Sequence, residues 1–138
     1  MAKQSGLGDY IAVDDSGGTA RDISNDITSY TINTPQNLYE ITGIDKSAVE
    51  RLVGLSDYTI TLNGVTNYAS NKSHDVFKTR TGTRTVTIAI GGNTSSNPEL
   101  ESEMLISSFN QERGDDGAAT WTAELMLQSG TAATWGTV

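Results

Sequence analysis

Ser73, His74 and Asp75 are the residue types of a nucleophile–base–acid triad, and His74 is the chain's one histidine. Three consecutive residues do not converge as a triad does, so His74 is read as a loop histidine rather than a base. Asp14/Asp15 and Asp115/Asp116 could hold a hard cation through oxygen, yet neither pair has EF-hand spacing and both sit among turn-forming glycines. Glu99, Glu101 and Glu103 fall on one face of an extended segment with no opposing cleft, which does not make a glycosidase pair. No phosphate-binding glycine loop is present, and the absence of cysteine removes thiolate metal sites and Cys nucleophiles. The reading is therefore no enzyme, no metal site and no cofactor.

The elements that carry these residues are mostly strands. In Asp57–Asn63, Tyr58, Ile60 and Leu62 alternate with Asp57, Thr59, Thr61 and Asn63. Thr83–Ile90 sets Val86, Ile88 and Ile90 against Thr83, Thr85 and Thr87, and Glu99–Ile106 sets Leu100, Met104 and Ile106 against the three glutamates. Thr120–Gln128 sets Trp121, Ala123, Leu125 and Leu127 against Thr120, Thr122, Glu124 and Gln128. Strand side chains alternate between faces, so each segment buries one side and wets the other. Tyr10–Val13, Arg21–Ile23, Ile27–Thr34, Asn37–Thr42 and Ala133–Gly136 read as further short extended pieces. Pro98–Arg113 also fits a helix capped by Thr94–Asn97, but a strand leading into the Gly114–Gly117 turn is preferred.

One helix is expected at Ser47–Leu52. Ser47 and Glu50 have capping-box spacing, Ile44, Ala48 and Leu52 form an apolar stripe to pack on the sheet, and Gly54 suits the C′ position. Val65–Gly82 reads as a long loop carrying Lys72, His74, Lys78 and Arg80 in an acidic chain, a candidate inter-subunit contact.

The chain has 138 residues and a formal charge of −8. That length suits a single domain, residues 1–138, with 1–9 as an N-terminal arm. The acidity argues against tight nucleic-acid binding and against docking on anionic membranes. No apolar run reaches the ~18–20 residues of a bilayer span, and the N-terminus has no signal-peptide core. The chain is read as made in a cytoplasm and kept there at least until assembly.

Ile41–Asp57 (Ile-Thr-Gly-Ile-Asp-Lys-Ser-Ala-Val-Glu-Arg-Leu-Val-Gly-Leu-Ser-Asp) resembles the helix-and-strand segment of major tail tube proteins of long, non-contractile-tailed bacteriophages. Ser107–Gly136, with Arg113-Gly114-Asp115-Asp116-Gly117, Trp121 and Ala133-Thr134-Trp135-Gly136, is similar too, and the likeness spans roughly residues 10–138. The resemblance implies a mainly β subunit, a β-sandwich or barrel with one short flanking α-helix and a long loop. It implies hexameric rings of this chain stacked into a tube around a tape-measure protein, bounded by tail terminator and tail-tip proteins. DNA passes non-specifically through the lumen of such a tube, and the subunit belongs to the virion after synthesis in the host bacterial cytoplasm. The immunoglobulin-like C-terminal domain of some relatives is not expected.

A DNA conduit needs a wall that does not hold phosphate. The candidate lumen residues are Asp57, Thr59, Thr61, Thr85, Thr87, Glu99, Glu101, Glu103, Thr122 and Glu124. Two other classes remain open: another virion protein (tail terminator, neck or capsid decoration), and a non-viral β-sandwich binding module.

Overall fold

The computed structural model describes residues 8–138. The predicted N-terminal arm therefore lies outside the described residues, except Gly8 and Asp9. Asp9 is tied down: its carboxylate accepts from the Tyr30 hydroxyl at 2.5 Å and from the Gly91 N–H at 2.8 Å.

The chain is mainly β, as expected. In order it forms β1 (Tyr10–Asp14), β2 (Ala20–Asp22), a 3-10 turn (Ser24–Asp26), β3 (Ile27–Asn33), β4 (Gln36–Glu40), β5 (Arg51–Ser56), β6 (Thr59–Val65), α1 (Ser73–Phe77), β7 (Arg84–Ala89), β8 (Pro98–Arg113), β9 (Ala119–Leu127) and β10 (Trp135–Thr137). One antiparallel sheet runs β2-β1-β7-β8-β9-β6-β3, with β10 also on β8; β4 and β5 pair only with each other.

Residues 98–113 form a strand of sixteen, as the sequence favours. Its first part pairs with β7 through Met104, and its second pairs with β9 from Met104 to Arg113, with a register shift between Ile106 and Ser108. Such a bulge raises local twist and bends the strand, so β8 serves two parts of a curled sheet. The curl brings β3 back toward β1. Ile11 and Val13 share one buried cluster with Ile60, Leu62, Leu100, Leu125 and Trp121, against which Tyr30 and Ile32 of β3 pack. Across the seam, burial and the Asp9 carboxylate push the Tyr30 phenol up to about 12. Phe77 of α1 stacks on Phe109 and meets Trp121, with ring centroids 5.5 and 5.2 Å apart, closing one end of the barrel-like core.

The helix is not where the sequence places it. Residues 41–50 close a hairpin, and Leu52 lies in β5 opposite Tyr39. The Ile41 N–H donates to Glu50 O, and the Glu50 N–H donates to Thr42 Oγ1, so Glu50 belongs to the hairpin rather than to a cap. A two-turn helix is marginal by itself, and the run Leu52-Val53-Gly54-Leu55 suits a strand. Gly54 has a different use from a helix terminus: a Cβ there would stand 2.3 Å from the Tyr39 ring. The stripe is not core either, since Ile44 is 108% and Leu52 56% exposed. Leu52→Ala is accordingly expected to leave the thermal midpoint within ~2 °C of wild type, where a buried leucine would cost about 2–5 kcal/mol. A drop of that larger size in a melt would return Leu52 to the core.

The helix that does form, α1, lies inside the expected long loop, where Ser73, Val76 and Phe77 are buried.

Candidate assembly surfaces

Nine of the ten candidate lumen residues project from the sheet's outer face, because each has the opposite parity to the core residues of its strand. The tenth, Asp57, lies in the link between β5 and β6; its Oδ1 accepts from the Tyr58 N–H and its own N–H donates to Pro35 O. The curl divides the nine. Thr59, Thr61, Thr122 and Glu124 lie on β6 and β9, whereas Thr85, Thr87, Glu99, Glu101 and Glu103 lie on β7 and the first part of β8. On the second part, Thr87 donates to Glu101 at 3.2 Å and Thr85 donates to Glu103. On the first, Thr122 donates to Asn63 Oδ1 at 2.9 Å and Asn63 Nδ2 donates to Ser29 at 3.3 Å, a polar ladder over three strands.

That first part is a four-stranded face, β3-β6-β9-β8, with two margins unpaired among the described residues. Among these residues β3 pairs with β6 alone, and its other edge runs over seven residues without a charged side chain. β8 has β9 on one edge, and β7 leaves the other edge after Met104. Free strand edges are templates for pairing with another chain.

The connection between β6 and β7 is more ordered than a loop of its composition suggests. Asp26, 5% exposed, accepts from the Ser73 N–H at 3.1 Å and from Asn67 Nδ2 at 3.0 Å. Arg84, which sequence reading missed, is 1% exposed and donates to the carbonyls of Asp14, Val76, Thr79 and Thr81. Burial draws its pKa down, while Asp15 and Asp14 hold it up. The signal was parity: Arg84 falls on the same side of its strand as Val86 and Ile88.

Of the candidate inter-subunit residues on this connection, Lys72 is half-buried and Arg80 exposed. Lys78 pairs with Asp75 at 2.7 Å, which with the Asn71 N–H holds that carboxyl below the ordinary carboxylate range. His74 packs its ring against Tyr68 at 4.7 Å. Ser73 Oγ meets no hydrogen-bond partner among the described residues, His74 packs on Tyr68 and Asp75 pairs with Lys78, so no triad assembles. Asp15 accepts from the Gly17 and Thr19 N–H groups and from Arg21, and Asp116 from the Ala118 N–H, so an acid of each pair shapes its turn. Among the described residues there is no group of three His, Asp or Glu placed to hold a metal ion.

The β4–β5 hairpin carries Leu38, Tyr39, Val49, Leu52, Val53 and Leu55 exposed, with Leu55 at 81%. Two strands are marginal without a third or a packed face, and exposed apolar side chains gathered on such a hairpin are a candidate contact surface.

No protein-family model matches the chain, and no curated protein matches it. Solved structures do. A chain in the tail of an empty gene transfer agent (GTA) particle, computed with helical refinement and C6 symmetry, superposes with a TM-score of 0.75 at 15% identity, over 97% of this chain and 99% of that one. This chain shares its fold. A chain in the virion of a native gene transfer agent particle superposes with a TM-score of 0.72 at 15% identity, over the same shares of both chains.

Proposed function

We propose that this chain is a structural, non-enzymatic subunit of a phage-like tail, and that it polymerises as stacked hexameric rings into a tube that conducts DNA. The observation that carries this reading is the pair of free edges bounding the β3-β6-β9-β8 face. Three successive antiparallel pairings make β3 and β8 run in opposite senses. The β3 edge of one copy therefore meets the β8 edge of the next as a further antiparallel pair. Such a head-to-tail joint closes into a ring when the rotation allows, and closure removes both of these edges. The full-length likeness to a chain from a C6-symmetric tail supports six copies per ring.

In this arrangement the channel wall is the outer side of that face, with Thr59, Thr61, Thr122 and Glu124. Glu124, repeated around the ring, supplies a negative girdle that phosphate does not grip. The Glu99–Glu103 row lies toward the other flank of each copy. The β4–β5 hairpin projects from the strand ends opposite the 66–83 connection, so stacking brings its Glu40, Asp45 and Glu50 toward Lys72, Lys78 and Arg80 of the neighbouring ring. A tape-measure protein inside the tube, and terminator and tip proteins at its ends, complete the expected partners.

The chain has no cysteine, which makes the joint directly testable. Thr31 of β3 and Asn110 of β8 mark opposite margins of the face, separated by three strand spacings, about 14 Å, within one copy. With Thr31→Cys and Asn110→Cys together, a thiol crosslinker shorter than that span should join only neighbouring copies, giving a ladder that ends at the hexamer. Tubes visible by negative stain without that ladder would refute the edge joint. A protein that stays monomeric when concentrated would refute the tube.

A further inference from the structure

The β4–β5 hairpin carries an apolar pair on each of its two faces. Leu38 opposes Val53 across the ladder, and the next pair along, Tyr39 and Leu52, points to the other side because strand side chains alternate. The Tyr39 ring lies over Gly54, two residues from Leu52, which fixes that second face. Exposure is alike on both: Leu38 is 56% and Val53 64% exposed, Tyr39 56% and Leu52 56%. Toward the tip, the opposed Glu40 and Arg51 follow on the first face and Ile41 with Glu50 on the second, so charge is shared between the faces too. A hairpin lying along one surface would keep its outward face polar, as strands with one wetted side do. We propose that the hairpin is a wedge held between two other copies of this chain, each covering one of its faces. The inference rests on the reading that the chain stacks in rings, and it sets each hairpin in a joint between two copies rather than against one.

The geometry selects the occupants. Covering the carbon of one face leaves the other in water, so a single flat partner realises only half of the gain. Packed sheets sit about 10 Å apart, which puts walls on both sides of the hairpin about 20 Å from each other. One copy cannot supply both walls, because the interior of its curled sheet is filled by the buried cluster. Two adjacent copies present two walls with a joint between them, and Lys72 and Arg80 lie on the connection that the hairpin's acids approach. An anionic lipid surface fits less well, since Glu40, Asp45 and Glu50 would meet its headgroups. A pair of copies leaves one face of each hairpin wet, so burial of the hairpin favours growth on a closed ring over free dimers.

The test uses the absence of cysteine. Leu38→Cys and Leu52→Cys, on opposite faces, are each labelled with an apolar benzophenone photo-crosslinker, singly and together, and a small fraction of labelled copies is assembled with unlabelled wild type. Either label alone should give a two-chain product, and the double label should give a three-chain product. In parallel, Leu52→Thr and Val53→Thr change neighbouring residues on opposite faces while keeping a side chain suited to a strand. Each should raise the concentration needed for tubes by about fivefold, with the melt of the subunit unchanged. Two-chain products from each label without a three-chain product from both, or one threonine substitution acting while the other is silent, would overturn the wedge and leave the tube standing. Wild-type protein that forms no tubes would remove the ring reading, and the wedge with it.

Discussion

Gly64→Ala should lose at least about 3 kcal/mol of stability and lower the thermal midpoint by on the order of 10 °C. Gly64 is buried in β6, between Ile27 of β3 and Trp121 of β9. A Cβ at this position would stand 1.9 Å from the backbone oxygen of Asp26 and 2.9 Å from the Trp121 ring. Neither neighbour yields cheaply. The Asp26 backbone enters β3, next to the register shift between Ile27 and Ser29, and its carboxylate accepts from the Ser73 N–H and Asn67. The Trp121 indole donates to Val65 O at 3.0 Å and packs against Phe77. Glycine inside a strand often marks a close approach of this kind. One methyl group therefore disturbs the β3–β6 pairing, the seat of α1 and the aromatic end of the core together. Gly136→Ala is the control, since a Cβ there meets nothing within 4 Å. Matching melts for the two variants would show that the β6 crossing has room to relax.

Where local pattern and tertiary context agree, the strands were legible. Tyr58, Ile60 and Leu62, or Trp121, Ala123 and Leu125, alternate cleanly because each strand has one face in a single core. The turn acids were legible for a similar reason, as Asp15 and Asp116 act within a few residues of themselves. The hairpin at 36–56 was not. Its apolar residues have no core to face in one copy, so their spacing could be fitted to a helical stripe as easily as to strands, and Ser47 and Glu50 supplied a plausible cap. The rule that apolar residues go inside fails for a segment whose apolar residues stay exposed. Arg84 was hidden by the converse: a cation among valine and isoleucine is satisfied only by carbonyls brought from Asp14, Val76, Thr79 and Thr81, and such convergence has no local signature. The candidate lumen residues were legible as the polar face of their strands, but strand alternation carries no information about curvature, and it is the curl at β8 that divides them between β6–β9 and β7–β8.

The hairpin gives the second large effect, and it falls on assembly rather than folding. Replacing Leu52 with Ser, Val53 with Thr and Leu55 with Ser should leave the melt of the subunit unchanged, because all three are more than half exposed and surface changes of this kind usually stay within about 0.5 kcal/mol each. The same triple variant should require more than about 100-fold higher concentration to form tubes. Covering these side chains in a neighbour is worth on the order of 1 kcal/mol apiece, and each tenfold in association corresponds to about 1.4 kcal/mol. The β4–β5 pairing itself should persist, since Gly54 still admits the Tyr39 ring and Glu50 still bonds Thr42. What changes is the cover that a two-stranded arm needs and that no other part of its own sheet supplies. Sedimentation of the variant beside wild type over a concentration series reads this directly. Tubes appearing at the wild-type concentration would mean that the arm hangs free in the assembly, and the stacking contact would then have to rest on the 66–83 connection with Lys72, Lys78 and Arg80.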